Sequence, residues 1–175
     1  MASFERRRLV PSRDARWAWE LNEREVPRLG SETLEDFVSL CEMSASAWVC
    51  TDAGAPVAFL LGMTPEVPYD SPNFLWFRER HERFVYVDRL AVEVAHRKRG
   101  LGAALYAAAE DDARRLGMPL VCCEVNLRPE NPESLAFHAR LGFVREGEQV
   151  ADGKLVAMLV KRLEGPGSRR SPSLG

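Results

Sequence analysis

"RFVYVDRLAVEVAHRKRGLGAAL", residues 83–105, joins a strand, a basic turn with two glycines and the beginning of a helix. Its first half is rich in β-branched and aromatic side chains, which predicts a strand over residues 83–94. Its second half begins an alanine-rich helix, predicted from Leu101 to Leu116 and ended by Gly117. A strand that leads directly into a helix in this way is typical of an α/β domain.

The turn between this strand and helix predicts an anion site. Backbone N–H groups in the first turn of a helix have no acceptor within the helix, and the helix dipole adds partial positive charge there. Gly100 and Gly102 would let a pyrophosphate approach that backbone closely, and the preceding cations would add charge. The spacing fits neither the Walker A nor the three-glycine dinucleotide motif. The alternative is a solvated basic turn before an ordinary helix.

The remainder of the chain predicts a mixed α/β fold with the element order β-α-α-β-β-β-α-β-α-β-β. A first strand at Arg6–Val10 precedes two helices, for which Ser12 and Ser31 are the expected N-caps. The inner face of the first helix is expected to carry Trp17, Leu21 and Val26. We expect one domain over residues 1–163 and disorder in the Gly-, Pro- and Ser-rich residues 164–175.

The amino-acid composition and charge of the chain argue against several classes of protein. A formal net charge of −2 over 175 residues argues against a protein built to hold nucleic acid. The four cysteines form no C-x-x-C pair, so we expect buried reduced thiols and no metal site. The N-terminus lacks the apolar core of a signal peptide, and no apolar run reaches the roughly 18 residues that span a bilayer. These features predict a cytoplasmic protein with no membrane partner.

Two motifs, taken in order, resemble the GNAT superfamily of N-acetyltransferases. Arg97-x-x-Gly100-x-Gly102 fits the family pattern Gln/Arg-x-x-Gly-x-Gly/Ala, on the strand–turn–helix unit described above. The later stretches "CCEVNL" and "NPESLAFHARLGF" are similar to the family's next strand and its helix ending in Leu-Gly-Phe. The resemblance is close over residues 84–144. It implies a GNAT-like acetyltransferase fold in which the parallel fourth and fifth strands splay apart.

The resemblance also implies acetyl-CoA as the acetyl donor, bound in the gap between those strands. Backbone groups of the fourth strand would contact the acetyl carbonyl and the pantetheine arm, through Leu90, Ala91 and Val92. The turn would hold the pyrophosphate, through Arg97, Lys98, Arg99, Gly100, Leu101, Gly102 and Ala103. Asn131, twelve residues before Phe143, matches the family asparagine that hydrogen-bonds the pantetheine arm.

The implied reaction moves an acetyl group to a primary amine by direct attack in a ternary complex. A lysine amine has a reference pKa of about 10.4 and an α-amine one of about 8, so a base must remove a proton before attack. Glu124 aligns with the base glutamate of the ribosomal-protein N-terminal acetyltransferases, and it interrupts an apolar strand. Its alternative is a solvent-facing position. Asp88 is the second candidate base, unless it pairs with Arg89 or Arg97.

The leaving thiolate needs a donor, and the growing oxyanion needs an N–H group, for which Leu90 is the aligned residue. Many family members carry a tyrosine acid five residues before the phenylalanine of Leu-Gly-Phe, where this chain has His138. Histidine can also donate a proton to a thiolate. His138 alternatively serves as a core residue, since it shares a helical face with Phe137 and Leu141. The missing tyrosine keeps a non-catalytic acyl-CoA-binding or sensing module as the alternative function.

The segment from Thr64 to Phe84 is long for a connection between neighbouring strands. A short helix beginning at Ser71-Pro72 and carrying Phe74 and Phe77 would roof the acceptor pocket, with residues 17–26 as the other wall. The alternatives are a homodimer contact, for which the closing hairpin is also a candidate, and a plain hydrophobic cover. The acceptor is left open among a polyamine, an amino acid, an antibiotic and a protein N-terminus.

Overall fold

The computed structural model describes residues 4–165 and contains one seven-stranded mixed sheet. The strands, in chain order, are β1 Glu5–Arg8, β2 Ser46–Asp52, β3 Ala55–Met63, β4 Val85–Val92, β5 Leu120–Arg128, β6 Val144–Ala151 and β7 Lys154–Arg162. The helices are α1 Pro11–Arg24, α2 Leu34–Met43, α3 Pro72–Arg78, α4 Leu101–Arg115 and α5 Pro132–Arg140. The order across the sheet is β1-β2-β3-β4-β5-β7-β6. The expected tail falls mainly on residues 166–175, outside the described residues.

The observed order of elements confirms the mixed α/β fold expected from the sequence. The short helix α3 lies between β3 and β4 and begins at Pro72, where the Ser-Pro pair predicts it. A 3₁₀ turn at Val94–His96 follows β4, so the strand ends at Val92 and not at Val94. No helix within residues 4–165 is both long enough and apolar enough to cross a membrane.

Both expected N-caps were wrong. Helix α1 begins at Pro11 with Val10 as the N-cap, because proline at the first helical position already has a helical φ. Asp14 in the first turn accepts a hydrogen bond from the Val10 amide at 2.8 Å, which replaces the contact expected of Ser12. Helix α2 is capped by Thr33, whose hydroxyl accepts from the Asp36 amide at 3.1 Å, and not by Ser31.

The inner face of α1 was also partly wrong. Leu21 is buried, and the Trp17 ring packs edge-on against the Phe59 ring of β3 with centroids 6.1 Å apart. Val26 follows the end of the helix and is exposed. The apolar face that holds α1 against the sheet therefore stops one turn earlier than the periodicity predicts.

The central parallel pair, β4 and β5, is joined over only two residue pairs, Val85 with Val121 and Tyr86 with Cys122. Beyond these pairs both strands continue, to Val92 and Arg128, but their residues no longer pair with each other. The strands therefore splay, as the sequence resemblance implied. The splay leaves an open gap in the middle of an otherwise continuous sheet.

Two apolar cores cover the two faces of the sheet. Helices α1, α2 and α3 pack on one face, around a cluster that includes Phe37, Phe59 and Phe74. Helix α4 packs on the other face, around Leu105 and Val121. The gap between β4 and β5 lies between these two cores, so a molecule in the gap can contact both faces of the sheet.

Candidate active site

A cavity of about 810 Å³ lies at the gap between β4 and β5. Tyr106 and His138 line it on the face covered by α4, and Tyr69 and Glu124 line it on the opposite face. The cavity therefore passes through the sheet. This arrangement lets one molecule enter from the α4 side and meet a second molecule that enters from the side of α1, α2 and α3.

Backbone groups of β4 face this gap at two alternate residues. The Glu93 amide donates to the Val57 carbonyl at 2.8 Å, which marks a hydrogen-bonded pair of the antiparallel ladder between β3 and β4. Such pairs alternate along antiparallel strands, and Ala91 pairs with Phe59 two residues away. Ala91 therefore bonds to β3, whereas Leu90 and Val92 direct their N–H and C=O groups toward the gap. Of the three residues expected to contact acetyl-CoA through their backbone, Leu90 and Val92 face the gap and Ala91 does not.

The turn before α4 has the backbone shape that an anion site needs. Gly100 is the N-cap of α4 and has a φ of +83°, a left-handed conformation that glycine adopts without steric cost. A Cβ at this position would meet no atom within 4 Å, so the space above the turn is open. The first-turn amides of α4, which include Leu101 and Ala103, follow directly and have no acceptor within the helix.

Gly102 has a packing role that the sequence did not predict. A Cβ at this residue would lie 3.0 Å from a ring carbon of Phe137, which is on α5. The missing side chain therefore lets α5 approach α4, whereas the open space lies at Gly100, and the expected pyrophosphate contact of both glycines stays a prediction. Packing between two helices that are distant in sequence gives no local signal, so the sequence could not separate these roles.

The three basic side chains of the turn are only partly free. Arg97 forms an ion pair with Glu25 at the end of α1, and its Nε donates to the Val92 carbonyl at 3.2 Å. The Arg99 guanidinium lies over the Phe4 ring at 4.6 Å. Lys98 makes no ion pair with any residue between 4 and 165. Arg97 and Arg99 are thus already held by other residues of the protein. The backbone N–H groups at the start of α4 are the more accessible part of the anion site.

Glu124 lies on β5 where the cavity passes through the sheet. The Tyr86 hydroxyl donates a hydrogen bond to its Oε2 at 2.8 Å. Burial, reinforced by the negative charge of Asp88, raises the pKa of Glu124 to about 7, while hydrogen bonds from Tyr86 and Asn73 oppose that rise. A carboxyl group with this pKa changes protonation near neutral pH, as a general base must.

Asp88, the second candidate base, is firmly held by its neighbours. It accepts from the Tyr69 hydroxyl at 2.9 Å and from Arg89 Nε at 3.0 Å. Arg89 is itself buried and also binds Glu32 at 2.6 Å. Of the two partners expected for Asp88, the structure selects Arg89. Because Asp88 is already occupied by Arg89 and Tyr69, Glu124 is the better candidate.

His138 lies in a buried pocket on α5 with both ring nitrogens in hydrogen bonds. Its Nδ1 is 2.7 Å from the Ser134 carbonyl oxygen, and its Nε2 is 2.7 Å from the Tyr106 hydroxyl. Burial lowers the pKa of the imidazole. The ring is therefore buried, as the core alternative requires, and it also lines the cavity, while its contact with the coenzyme sulfur stays a prediction.

Asn131 lines the same cavity from the N-terminus of α5. Its Oδ1 accepts from the Ser134 amide at 3.3 Å, so the residue is the N-cap of that helix. Among residues 4–165 its Nδ2 makes no hydrogen bond. A fixed side chain with a free amide donor suits the pantetheine contact that the family resemblance implies.

The long segment between β3 and β4 forms one wall of the cavity. Its residues from Pro68 to Asn73 line the cavity, and the Asn73 Oδ1 accepts from Gln149 Nε2 of β6 at 2.8 Å. The opposite wall comes from Glu25 and residues 28–32, and not from Trp17. The segment thus places Tyr69 beside Asp88 and Asn73 beside Glu124, neither of which could be predicted from spacing alone.

Within residues 4–165 no group of three or more His, Cys, Asp or Glu side chains is arranged to hold a metal ion. The four cysteines are free and buried. Burial raises the pKa of the Cys41 thiol to about 12, so this thiol is unreactive at neutral pH.

Comparisons with known proteins agree with this geometry. Residues 13–143 match the sequence profile of the "Acetyltransferase (GNAT) family". No curated protein matches the sequence significantly.

Three solved structures illustrate the fold likeness, and at their low identities they bear on the fold alone. Ard1 from Thermoplasma volcanium is 20% identical with a TM-score of 0.74, covering 92% of this chain and 98% of its own. The ribosomal-protein-S18-alanine N-acetyltransferase from Escherichia coli is 16% identical with a TM-score of 0.70, covering 97% and 99%. The acetyltransferase yncA from Salmonella typhimurium, solved with its cofactor acetyl-CoA, is 17% identical with a TM-score of 0.72, covering 99% and 100%.

Proposed function

The chain belongs to the GNAT family of acetyltransferases, and from that premise we propose that it moves the acetyl group of acetyl-CoA to a primary amine by direct attack in a ternary complex. The observation that carries this proposal is the position of Glu124. A carboxyl group with a pKa of about 7 lies where the cavity passes through the sheet. Two of the similar structures are named as N-acetyltransferases or as acetyl-CoA complexes, which supports the same chemistry.

The residues present fit acetyl-CoA at the donor end of the cavity. Leu90 offers its N–H and C=O groups, and Val92 its N–H group, to an amide-bearing arm, much as a sheet edge accepts an added strand, while Arg97 occupies the Val92 carbonyl. Asn131 offers a fixed amide donor at the cavity wall. The first turn of α4 offers backbone N–H groups and a helix dipole to a pyrophosphate. Acetyl-CoA supplies an activated acetyl thioester when it is bound there.

Glu124 is assigned the role of general base. A protonated amine cannot attack, and at pH values above about 7 the ionised carboxylate of Glu124 can take its proton directly or through water. The hydrogen bond from Tyr86 fixes the orientation of the carboxyl group. Asp88 serves a different purpose, because its negative charge raises the pKa of Glu124 while Arg89 and Tyr69 hold it in place.

Leu90 is assigned the stabilisation of negative charge. As the amine attacks, charge grows on the acetyl carbonyl oxygen, and a preorganised N–H group beside that oxygen lowers the barrier. The Leu90 amide faces the gap because the pairing of β3 with β4 leaves it unbonded on that side. A backbone donor of this kind needs no reorientation during the reaction.

A panel of amines tests the proposed function. The protein is incubated with acetyl-CoA and polyamines, amino acids, aminoglycosides or peptides with free N-termini, and thiol release is followed. Mass spectrometry then locates the added acetyl group. We expect acetylation at a primary amine. Acetylation of hydroxyl acceptors alone, with every amine inert, would overturn the assignment to N-acetyl transfer.

A further inference from the structure

Tyr106 and His138 form a buried hydrogen-bonded pair on the donor side of the cavity. The two side chains come from α4 and α5, and their hydroxyl and Nε2 atoms are 2.7 Å apart. Both residues line the cavity. The rings of Phe137 and Phe143 pack around the Tyr106 ring with centroids 6.0 and 5.3 Å away, which fixes its position. The function proposed above assigns no role to Tyr106.

The hydrogen bonds define which atom of the pair carries the proton. The Ser134 carbonyl oxygen can only accept, so the proton between it and His138 is on Nδ1. A neutral imidazole has a single N–H group, and burial keeps this imidazole neutral by lowering its pKa. Nε2 is therefore an acceptor, and the Tyr106 hydroxyl is the donor. His138 consequently has no proton to offer to a leaving group in the cavity.

On the basis of the proposed function, we propose that the Tyr106 hydroxyl hydrogen-bonds the coenzyme A thiolate as it leaves, and that His138 is the positioning residue that holds this hydroxyl in the cavity. The placement follows from the fold. Tyr106 is in the second turn of the helix whose N-terminus is assigned to the pyrophosphate, and it lies beside Cys123, the first residue of β5 after the last pair with β4.

The step balances without a further reactant. The amine nitrogen forms a bond to the acetyl carbon, the carbon–sulfur bond breaks, and its electron pair goes to sulfur. Before attack the ammonium proton goes to Glu124 and from there to solvent, and the second proton, which the nitrogen loses as the amide forms, goes to the same carboxylate. The Tyr106 O–H turns from Nε2 to the sulfur. Burial raises the pKa of Tyr106 well above 10, whereas a simple thiol such as cysteine ionises at about 8.5. The proton therefore stays on the tyrosine, and the thiolate is protonated by solvent when coenzyme A is released.

The ionisation of bound coenzyme A tests this inference without an identified acceptor. The ultraviolet absorbance of the thiolate is titrated in the binary complex of coenzyme A with the wild-type protein and with Tyr106→Phe. A hydrogen bond to an ionised group stabilises that form, so the substitution should raise the pKa of the bound thiol by about one to two units. This is a tenfold to hundredfold fall in the ionisation constant. Subtraction of the titration of the free protein removes its own cysteines and tyrosines.

Variants of His138 test the positioning role. His138→Leu removes the acceptor for the Tyr106 hydroxyl and should raise the pKa of the bound thiol part of the way, whereas His138→Gln keeps an acceptor and should restore it. Thermal unfolding of each variant checks that it is folded. Equal thiol pKa values in the wild type and Tyr106→Phe would overturn the inference, as would a shift in His138→Leu alone. A wild-type protein that bound no coenzyme A would overturn the proposed function itself, which is a different result.

Discussion

Replacement of Glu124 by glutamine should change the pH dependence of stability in a defined direction. The pKa of the folded carboxyl group is about 7, against an ordinary value of 4.5. Between these values the folded protein holds a proton that the unfolded chain has released, so the stability of the wild type falls as the pH rises through this interval. At about 1.36 kcal/mol for each pH unit, the interval corresponds to about 3 kcal/mol. Glutamine does not titrate, so Glu124→Gln should not show this fall.

Urea unfolding of both proteins at intervals from about pH 5 to about pH 8 measures the effect. Glutamine keeps a side-chain oxygen that can accept from the Tyr86 hydroxyl, so this contact is matched in the two proteins. All other titrating groups are shared and cancel in the difference. We expect the stability of Glu124→Gln relative to the wild type to increase with pH and to level off above about pH 7. A difference that stayed constant across the range would refute the raised pKa, and with it the physical basis for Glu124 as base.

Two further substitutions test the donor end of the cavity. Gly100→Ala places a Cβ on a residue in the left-handed conformation, and this backbone strain should lower the free energy of unfolding in urea by about 1–2 kcal/mol. Gly165→Ala, in open space, is the control and should not lower it. Equal losses of stability in the two variants would contradict strain at Gly100. Glu25→Gln releases Arg97 from its partly buried ion pair and should tighten acetyl-CoA binding by about fivefold in calorimetry, the upper end of the range for ion pairs near the surface. Glu93→Gln is the matched control, because Glu93 pairs with Arg24 of α1 and not with Arg97. Equal effects of the two substitutions on acetyl-CoA affinity would contradict a competition between Glu25 and the coenzyme for Arg97.

The sequence predicted those parts of the site that depend on local pattern. The central strand, the turn at Gly100 and the helix from Leu101 follow one another along the chain. Periodicity and glycine chemistry are enough to identify them, although the strand was predicted to end two residues later than Val92. The separation of the two central strands came from the resemblance to a family, since no local pattern encodes it. The two predicted N-caps were wrong because several residues near each helix start can serve as the N-cap. The direction in which the preceding chain enters the helix decides which of them does.

The contacts that tune the chemistry could not be predicted, because each joins residues far apart in the sequence. Tyr86 reaches Glu124 across two strands that are adjacent only in the folded sheet. Tyr106 reaches His138 across two helices, so the helical pattern of α4 shows an ordinary inward-facing aromatic residue. Arg97 was expected to contact the pyrophosphate or to pair with Asp88, and its observed partner, Glu25 at the end of α1, was not among these alternatives. The residue types and the inward-facing positions of each element could be predicted from the sequence, whereas the side-chain hydrogen bonds and ion pairs depend on the fold.

The pH dependence of kcat for the best amine acceptor shows whether Glu124 is the general base. In the wild type we expect kcat to rise with pH around an apparent pKa of about 7, because Glu124 must be ionised to accept the proton of the amine. In Glu124→Gln we expect kcat to fall by about a hundredfold or more and this inflection to disappear, while the affinity for acetyl-CoA is retained. A Glu124→Gln protein that kept the wild-type kcat and the same inflection would contradict the account.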